Sequence, residues 1–455
     1  MAAKKTNKKV VKKATSATGK EATKPVAAPK KAAPTKAEST LIRTPFVSGD
    51  KAGIAADLSR RERLAQLKSI AKKINTQFKS DVVVTADEAH TNTYLRRPCG
   101  IMQLDIDTGG GMPAGRLVTL TGPNQAGKTT LLYYYYAMHQ RLYGEDAVIA
   151  HLCSEGNVDH KQARAAGWII PTPWKEIQAQ NQEREKLGIP AFTDEEIAEL
   201  RRGIGHNHLV EGLGTCEEFL DVAHDLLKSN LYGLIGLDSY EGLMPSAEAQ
   251  LESLESFPTQ AARASLIGRF MQHYGPITRD PAHFTTFIMT CQVRNNRKKN
   301  EAPAHFAKYM KEWASVVPDS VKHWRKIDVT VWSGAKIGNG KKDKEDKEVF
   351  GKYINWDIVK GTLNAHDNVQ GETAFYYDKR GFNLLQTVFD AGFKYGVIRE
   401  KEGRLTFLPN GEPDDYLDGV PSPEEFIRAM SEDQEKEMQV RRAILHAAGK
   451  PCVYV

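Results

Sequence analysis

Apolar residues recur along the chain with two different spacings, and each spacing predicts a different element. Between Ala55 and Gln77 they recur every three to six residues on one side, which predicts an amphipathic helix. The β-branched run 82–85 then predicts a short strand. Further strands are predicted at 116–121, 147–152, 231–237, 284–291, 327–333, 353–359 and 373–377, and further helices at 129–142, 216–229 and 259–274.

The order of these elements predicts the fold class. Strands and helices alternate, which is typical of an α/β protein whose mostly parallel sheet is covered by helices on both faces. The last segment is predicted to form a small α+β domain. The chain is therefore divided into an arm over 1–45, a helix–strand segment over 46–95, a core over 96–385 and a C-terminal domain over 386–455.

Charge distinguishes the two ends of the chain. Residues 1–40 contain 11 lysines, no arginine and two glutamates, whereas the net charge of the whole chain is only +6. Because 1–40 contains little that could form a core, we expect it to be disordered. It is either an arm that tethers DNA in a salt-dependent manner or a solvated linker. The acidic segment 412–437 either competes with DNA for basic loops, which would be autoinhibitory, or is a solvated surface.

Composition excludes several other classes of protein. There is no run of eighteen apolar residues, so no membrane span is predicted. The five cysteines lie far apart and form no C-x-x-C pair. This pattern argues against structural zinc and against a disulfide scaffold, and it favours the reducing cytoplasm.

A phosphate-binding loop follows the first core strand. The segment from Gly122 to Thr129 fits G-x-x-x-x-G-K-[ST] between a predicted strand and a predicted helix. The loop N–H groups and the helix N-terminus surround phosphates, Lys128 contacts the β- and γ-phosphates, and Thr129 binds Mg²⁺. ATP and Mg²⁺ are therefore the expected cofactors. The expected nucleotide-binding residues are Gly122, Pro123, Asn124, Gln125, Ala126, Gly127, Lys128, Thr129 and Thr130.

Two acids follow the ends of other predicted strands. Asp238 ends the apolar run 233–238, which is the Walker B arrangement, and its carboxylate would hold Mg²⁺ through water. Glu155 follows strand 147–152 and should lie at the carboxyl edge of the sheet, where ligands bind. It is the candidate group that activates water for ATP hydrolysis, and the alternative is an acid on the surface.

With these motifs in place, the sequence resembles the bacterial RecA recombinases. The resemblance is carried by Gly111-Met-Pro-Ala-Gly-Arg116, Ser154-Glu-Gly-Asn-Val-Asp159, Leu237-Asp-Ser239 and Met289-Thr-Cys-Gln-Val-Arg294. It covers about 55–440. It implies a RecA-like P-loop ATPase core, an N-terminal helix–strand segment for polymerisation and a small C-terminal α+β domain.

The resemblance also implies roles for individual residues. Glu155 would activate the attacking water, and Gln292 would sense the γ-phosphate. Lys360 would reach the ATP of the neighbouring protomer, and Asp159 would belong to the nucleotide site. The N-terminal helix and strand would dock on the next protomer by strand addition, so that the chain would form a helical filament.

Three features depart from the family pattern. Thr362 stands where the family usually has a second lysine that acts on the neighbour's ATP. Gln162 stands where the family has an aromatic residue that stacks on adenine. Residues 169–206 form an insert that is rich in charged and helix-forming residues and carries no chemical signature.

Two loops are candidates for DNA contact. The loop at about 293–318 follows the sensor glutamine, and this position favours DNA binding over the alternative of a solvated basic loop. A first DNA loop is placed near 249–260, where Phe257 either contacts DNA or anchors the loop to the core. The expected DNA-contacting cations are Arg294, Arg297, Lys298 and Lys299.

Together these features predict an ATP-dependent DNA recombinase. Such a protein would hydrolyse ATP in a DNA-dependent manner, form a homo-oligomeric filament on single-stranded DNA and catalyse strand exchange with double-stranded DNA. The resemblance implies a cytoplasmic, nucleoid-associated protein of a bacterium or a phage-infected cell. Two alternatives stay open, namely a hexameric helicase-type motor of the same fold and a DNA-binding architectural protein.

Overall fold

In the computed structural model of the chain, the predicted N-terminal arm and several internal segments lie outside the described residues. The predicted arm 1–45, most of the strand 82–85, Phe257 and the cations Arg297, Lys298 and Lys299 therefore stay predictions. The described residues are 60–79, 83, 95–249, 259–280, 282–295, 313–339, 348–363, 365–378, 380–414 and 417–451.

The chain divides into two compact units, and the first, Met1–His90, contains one described helix. This helix, α1, runs from Arg60 to Phe78, close to the range that the apolar spacing predicts. Its residue Asn75 pairs with the backbone of Val83. The Asn75 amide Nδ2 donates to the Val83 carbonyl oxygen at 2.9 Å, and Oδ1 accepts from the Val83 N–H at 2.8 Å.

Helix α1 carries an apolar stripe that the described residues leave open. Leu64, Leu67 and Ile70 recur at helical spacing, and they are 51%, 62% and 55% exposed. Side chains of this type normally face a core or a partner. The stripe is therefore available for contact with another apolar surface.

The second unit, Thr91–Val455, is built on one large sheet. The strand order is β11-β10-β9-β3-β7-β6-β4-β5, with β8 paired to β7. In this order, the neighbouring strands β9, β3, β7, β6, β4 and β5 are parallel to each other, whereas β10 is antiparallel to both β9 and β11. The predicted mostly parallel sheet is therefore confirmed. The strands are β1 (Arg96–Arg97), β2 (Met112–Pro113), β3 (Leu117–Gly122), β4 (Val148–Cys153), β5 (His206–Val210), β6 (Leu234–Asp238), β7 (Thr286–Asn295), β8 (Trp313–Ser315), β9 (Ile327–Gly338), β10 (Val349–Gly361) and β11 (Gln370–Tyr376).

Helices cover both faces of this sheet. The helix α3 (Lys128–Tyr143) packs on one face against the apolar side chains of β3 and β9. The helices α7 (Cys216–Ser229) and α9 (Thr259–Arg279) pack on the other face. All residues of β3 are buried, as expected for a strand at the centre of a parallel sheet. The helices are α2 (Met102–Asp107), α3 (Lys128–Tyr143), α4 (His160–Ala165), α5 (Trp174–Lys186), α6 (Asp194–Arg201), α7 (Cys216–Ser229), α8 (Ser246–Ala249), α9 (Thr259–Arg279) and α10 (Asp319–Trp324).

The insert predicted at 169–206 is mainly helical. It contains α5 and α6, and Thr193 begins α6 with a reciprocal cap, in which its side chain accepts from the backbone of Glu196. The chain then enters β5, a strand at the edge of the sheet that the sequence pattern does not predict. Its sequence, HNHLV, has only two apolar residues, because an edge strand needs little burial.

The C-terminal part belongs to the same compact unit as the core and consists of three helices and a two-stranded sheet, so the separate small α+β domain over 386–455 stays a prediction. The helix α11 (Leu384–Lys394) packs in one apolar cluster with Met102 of α2 and Met138 of α3, the helix that follows the phosphate loop. In the acidic segment, Glu437 is buried and contacts Arg141 and Arg441, which hold its pKa below the ordinary value although burial opposes ionisation. This acid is therefore structural. The elements are α11 (Leu384–Lys394), β12 (Ile398–Lys401), β13 (Arg404–Phe407), α12 (Pro423–Glu432) and α13 (Gln434–Ala447).

Across the described ranges, no helix is long and apolar enough to cross a bilayer.

Candidate nucleotide-binding site

The phosphate loop connects β3 to α3, and its backbone allows few other residues. A Cβ atom on Gly122 would lie 2.3 Å from the carbonyl oxygen of Val331 on the neighbouring strand. Gln125 and Gly127 have φ angles of 61° and 97°, which is the left-handed region. Gly127 directly precedes α3, so the positive end of that helix opens onto the loop.

Lys128 is the buried cation of the loop. Its Nζ donates to two loop carbonyl oxygens, at 3.2 and 2.9 Å. Burial lowers the pKa of Lys128, and the carboxylates of Glu241, Asp238 and Glu155 oppose this shift. An ammonium group in this position is suited to a polyanionic ligand, because a phosphate would further favour its charged form.

The strand register brings several strand ends to the same edge of the sheet. Gly122 of β3 pairs with Gln292 of β7, and Cys153 of β4 pairs with Asp238 of β6. Since these strands are parallel, the residues that follow them meet beside the phosphate loop. Glu155 follows Cys153 by two residues and lies at this edge as predicted from its position.

Glu155 is tied to the end of β6 by hydroxyl groups. The Ser239 Oγ donates to Glu155 Oε1. The Ser154 Oγ accepts from the Ser239 N–H at 2.9 Å and donates to the Ser239 carbonyl oxygen at 2.6 Å. Glu155 is solvent-exposed and also lines the cavity, so its carboxylate is oriented and open to a ligand.

Asp238 and Thr129 are the two residues that the sequence predicts as Mg²⁺ ligands. Both line the same cavity, and Asp238 is almost buried, with its Oδ1 accepting from the Thr290 hydroxyl. Within the described residues, no group of three or more His, Cys, Asp or Glu side chains is arranged to hold a metal ion. An ion at this place would therefore take its other ligands from phosphate and water, which is common for Mg²⁺.

The structure adds an acid that the sequence analysis missed. Glu241 lies in the 3₁₀ turn after β6, and its Oε1 accepts from the backbone N–H of Gln292 at 2.8 Å. Burial raises the pKa of Glu241, while the Gln292 N–H and Lys128 act against this shift. Its position three residues after the strand-ending Asp238 is the signal that would have indicated it.

Part of the cavity wall is aromatic. Gln162 does not take the place of the missing aromatic residue, because its Nε2 donates to the Thr130 hydroxyl at 3.0 Å. The aromatic side chains come instead from β11 and the segment after it. The whole cavity has a volume of about 590 Å³ and is lined by Asn124, Gln125, Gly127, Lys128, Thr129, Thr130, Glu155, Gln162, Asp238, Ser239, Gln292, Lys352, Ile354, Phe375, Tyr377 and Phe382.

Some predicted residues lie beside the cavity and do not line it. Gly122, Pro123 and Ala126 shape the phosphate loop from behind. Asp159 begins α4, and its Oδ1 accepts from the backbone N–H of Gln162 at 2.9 Å, so it acts as a helix cap in this structure.

Lys360 lies far from the phosphate loop of its own chain. It belongs to β10, where it pairs with Asp328, and its Nζ donates to the carbonyl oxygen of Lys322 at 2.9 Å. Lys352, eight residues earlier on the same strand, contacts the loop. A strand rises about 3.3 Å per residue, so the two lysines are roughly 25 Å apart. The hydroxyl of Thr362 donates to Lys326 O at 2.9 Å.

Of the predicted DNA-contacting residues, the structure describes one. Arg294 lies near the end of β7, two residues after Gln292, and its side chain is exposed. The predicted loop at about 293–318 is therefore shorter than expected, because 293–295 belong to β7 and 313–315 belong to β8, and 296–312 lie outside the described residues.

The fold and the phosphate loop define a P-loop protein with a RecA-like core. The chain matches the family model of the RecA N-terminal domain over residues 65–172. It is 26% identical over 399 residues to Protein RecA of Acidothermus cellulolyticus, and the aligned region covers 86% of this chain and 96% of that protein. It is 29% identical over 355 residues to Protein RecA of Oleidesulfovibrio alaskensis, covering 78% and 84%. With Protein RecA of Thermotoga neapolitana the identity is 23% over 346 residues, covering 75% and 81%. The resemblance to the RecA recombinases is thus confirmed over most of the chain.

Proposed function

We propose that the protein is an ATP-dependent DNA recombinase. It forms helical filaments on single-stranded DNA and catalyses homologous pairing and strand exchange with duplex DNA. The similarity to RecA proteins over most of the chain supports this function. The cavity supports a nucleoside triphosphate as the ligand, because it combines a phosphate loop with an aromatic wall and has the size of a small-molecule site.

In this proposal, each residue at the carboxyl edge of the sheet has a chemical task. Lys128 and the N-terminus of α3 compensate the charge of the β- and γ-phosphates. Thr129 would hold Mg²⁺ directly and Asp238 through water, and the ion would neutralise charge on the phosphate oxygens. Glu155 accepts a hydrogen bond from the attacking water and takes up its proton, and the Ser239 hydroxyl fixes the orientation of its carboxylate.

Gln292 connects the nucleotide to the DNA-binding loop. Its side chain lines the cavity, and its backbone belongs to β7 just before Arg294. A γ-phosphate that engages the Gln292 carboxamide therefore acts on the residue from which the basic loop starts. Release of phosphate would remove this contact and loosen the grip on DNA.

The distance between Lys360 and the phosphate loop is the observation that carries the filament proposal. The roughly 25 Å that separate Lys360 from Lys352 along β10 prevent Lys360 from meeting a nucleotide bound by its own chain. A cation at this position is expected to serve the nucleotide of another copy. Repeated head-to-tail contact of this kind gives an open filament or a closed ring. The exposed apolar stripe of α1 supports such contact.

Electron microscopy of the full chain with single-stranded DNA and a slowly hydrolysed ATP analogue tests the assembly. We expect open helical filaments and, in a separate assay, exchange of a labelled strand into homologous duplex. Closed rings without strand exchange would favour the helicase-type motor. DNA binding that is unchanged by loss of Lys128, without assembly that depends on nucleotide, would favour the architectural protein.

Mixing two inactive variants tests the composite site. Lys360→Ala retains Glu155, and Glu155→Gln retains Lys360, so a mixed assembly contains some interfaces with both groups. For random head-to-tail assembly of equal amounts, about one quarter of the interfaces are complete, and about that fraction of the DNA-stimulated ATP hydrolysis should return.

The matched control for this mixture is Lys394→Ala, because Lys394 lies in the C-terminal part of the chain, is exposed, and its Nζ contacts Gln103 of α2 and not the nucleotide cavity. Lys394→Ala alone should hydrolyse ATP like the unchanged protein. If Lys360→Ala and Glu155→Gln assemble together on DNA and no activity returns, Lys360 does not act across an interface.

A further inference from the structure

A second lysine lies in the wall of the nucleotide cavity. Lys352 of β10 lines the cavity together with Ile354 of the same strand face and with Phe375, its partner in register on β11. Lys128 is the other lysine among the described lining residues. The sequence motif does not include Lys352, which follows the phosphate loop by more than two hundred residues.

Lys352 contacts the apex of the phosphate loop. Its Nζ donates to the backbone carbonyl oxygen of Gln125 and to the hydroxyl of Ser333, both at 2.9 Å. Ser333 also donates to the Gln125 carbonyl oxygen, at 3.3 Å. Strands β9 and β10 thus hold the same loop atom together.

The apex needs this support, because Gln125 has a left-handed φ of 61° and is not glycine. A side chain in that region costs roughly 1 kcal/mol, and such a residue persists where its surroundings fix it. The two hydrogen bonds at Gln125 O therefore help to keep the loop N–H groups in the arrangement that a phosphate requires.

The charge of Lys352 is not matched by an acid within the described residues. Its two hydrogen bonds go to neutral oxygens, although an ammonium group has three N–H donors. Burial lowers the pKa of Lys352, which is the result of placing a cation among neutral groups. An anion in the cavity would supply the missing partner.

We propose that Lys352 is a second phosphate-binding cation of the nucleotide site, which fixes the apex of the phosphate loop and contacts the terminal phosphates of the triphosphate in the same chain. This inference rests on the proposed binding of ATP. It divides the cations of the site into Lys128 and Lys352 from one protomer and Lys360 from its neighbour.

Nucleotide titration without DNA tests this role, because it does not depend on filament formation. The probes are fluorescent analogues of ATP, ADP and AMP, and the variants are Lys352→Ala and Lys352→Arg in the full chain. Lys352→Ala should weaken binding of the ATP analogue by about 10- to 100-fold, the range for loss of a charged hydrogen bond. The affinity of Lys352→Ala for the AMP analogue should change by less than about threefold. Lys352→Arg should recover most of the lost affinity for the ATP analogue.

The control is Lys336→Ala. Lys336 is the partner of Lys352 in register on β9, and it is exposed and does not line the cavity. The salt dependence of ATP binding should become shallower in Lys352→Ala and stay unchanged in Lys336→Ala. Circular dichroism of each variant checks that the fold is retained.

The possible outcomes separate this inference from the proposed function. Equal ATP affinity in Lys352→Ala and Lys336→Ala would overturn the role of Lys352. An equal loss for the ATP and AMP analogues would also overturn it, since Lys352 would then support the base and not the phosphates. If the unchanged protein binds none of the probes, and Lys128→Ala is therefore indistinguishable from it, the proposed function itself fails.

Discussion

Replacing Glu241 by alanine tests how the part of the cavity lined by Gln292 is connected to the segment after β7. Glu241 Oε1 accepts from the Gln292 N–H at 2.8 Å, and this contact joins the turn after β6 to the strand that carries Gln292. In Glu241→Ala the N–H loses its acceptor in a partly buried site. An unpaired buried donor costs about 1–3 kcal/mol, which corresponds to about 5- to 150-fold in the population of the ordered strand end.

We therefore expect Glu241→Ala to lose DNA-stimulated ATP hydrolysis while it still binds ATP. The rate should fall by about 5-fold or more, the lower limit set by that cost, whereas the affinity for an ATP analogue should stay within about threefold. Glu241 is a positioning residue, because it acts through Gln292. Glu241→Gln retains an oxygen acceptor and should recover most of the stimulation. Normal stimulation in Glu241→Ala would show that the Glu241–Gln292 contact does not transmit the nucleotide state.

The same carboxyl group predicts a pH dependence of stability. Burial raises the pKa of Glu241 in the folded protein, so ionisation costs folding free energy at a pH above the raised value. Glu241→Gln removes this cost and should unfold at a higher temperature than the unchanged protein at neutral pH. The difference should shrink as the pH falls through the raised pKa and the native carboxyl becomes protonated. A Tm that is lower for Glu241→Gln at neutral pH would contradict this reasoning.

Three further predictions concern the remaining parts of the proposal. Lys128→Ala should lower the affinity for ATP by about 100-fold in a fluorescence titration, because the phosphates lose a charged donor, and near-normal binding would refute the phosphate-loop assignment. Glu155→Gln should bind ATP normally and hydrolyse it about 10²- to 10⁴-fold more slowly, the range for a lost general base; normal turnover would make Glu155 only a surface acid. Deleting 1–40 should flatten the slope of log DNA affinity against log salt by about 0.7 to 0.9 for each lysine that contacts a phosphate, and an unchanged slope would identify the arm as a linker.

The residues that could be predicted from the sequence depend on short segments. The phosphate loop is fixed by a few consecutive residues between a strand and a helix. Asp238 and Glu155 follow apolar strands, and the carboxyl ends of parallel strands meet at one edge. A strand pattern with a polar residue at its end is therefore enough to place both acids near Lys128.

The residues that could not be predicted reach the cavity through the tertiary fold. Lys352 and Phe375 come from an antiparallel pair of strands whose position next to the phosphate loop is set by sheet order and not by local pattern. Glu241 could not be predicted because the turn after β6 brings its carboxylate within hydrogen-bonding distance of the Gln292 N–H, which is distant in sequence. The resemblance assigns Asp159 to the nucleotide site, but here it caps α4. Its carboxylate accepts a hydrogen bond from a backbone N–H that has no partner within the first turn of the helix.

The helix α3 connects the phosphate loop to the C-terminal part of the chain. Lys128 stands at the first turn of α3, and Arg141 in the last turn contacts Glu437 of the C-terminal part. An α-helix rises 1.5 Å per residue, so this rod is about 20 Å long. If ATP binds as proposed, its phosphates engage the first turn of this helix, and the last turn of the same helix carries the contact with Glu437. A Glu437→Gln variant would weaken that contact at the far end of the helix.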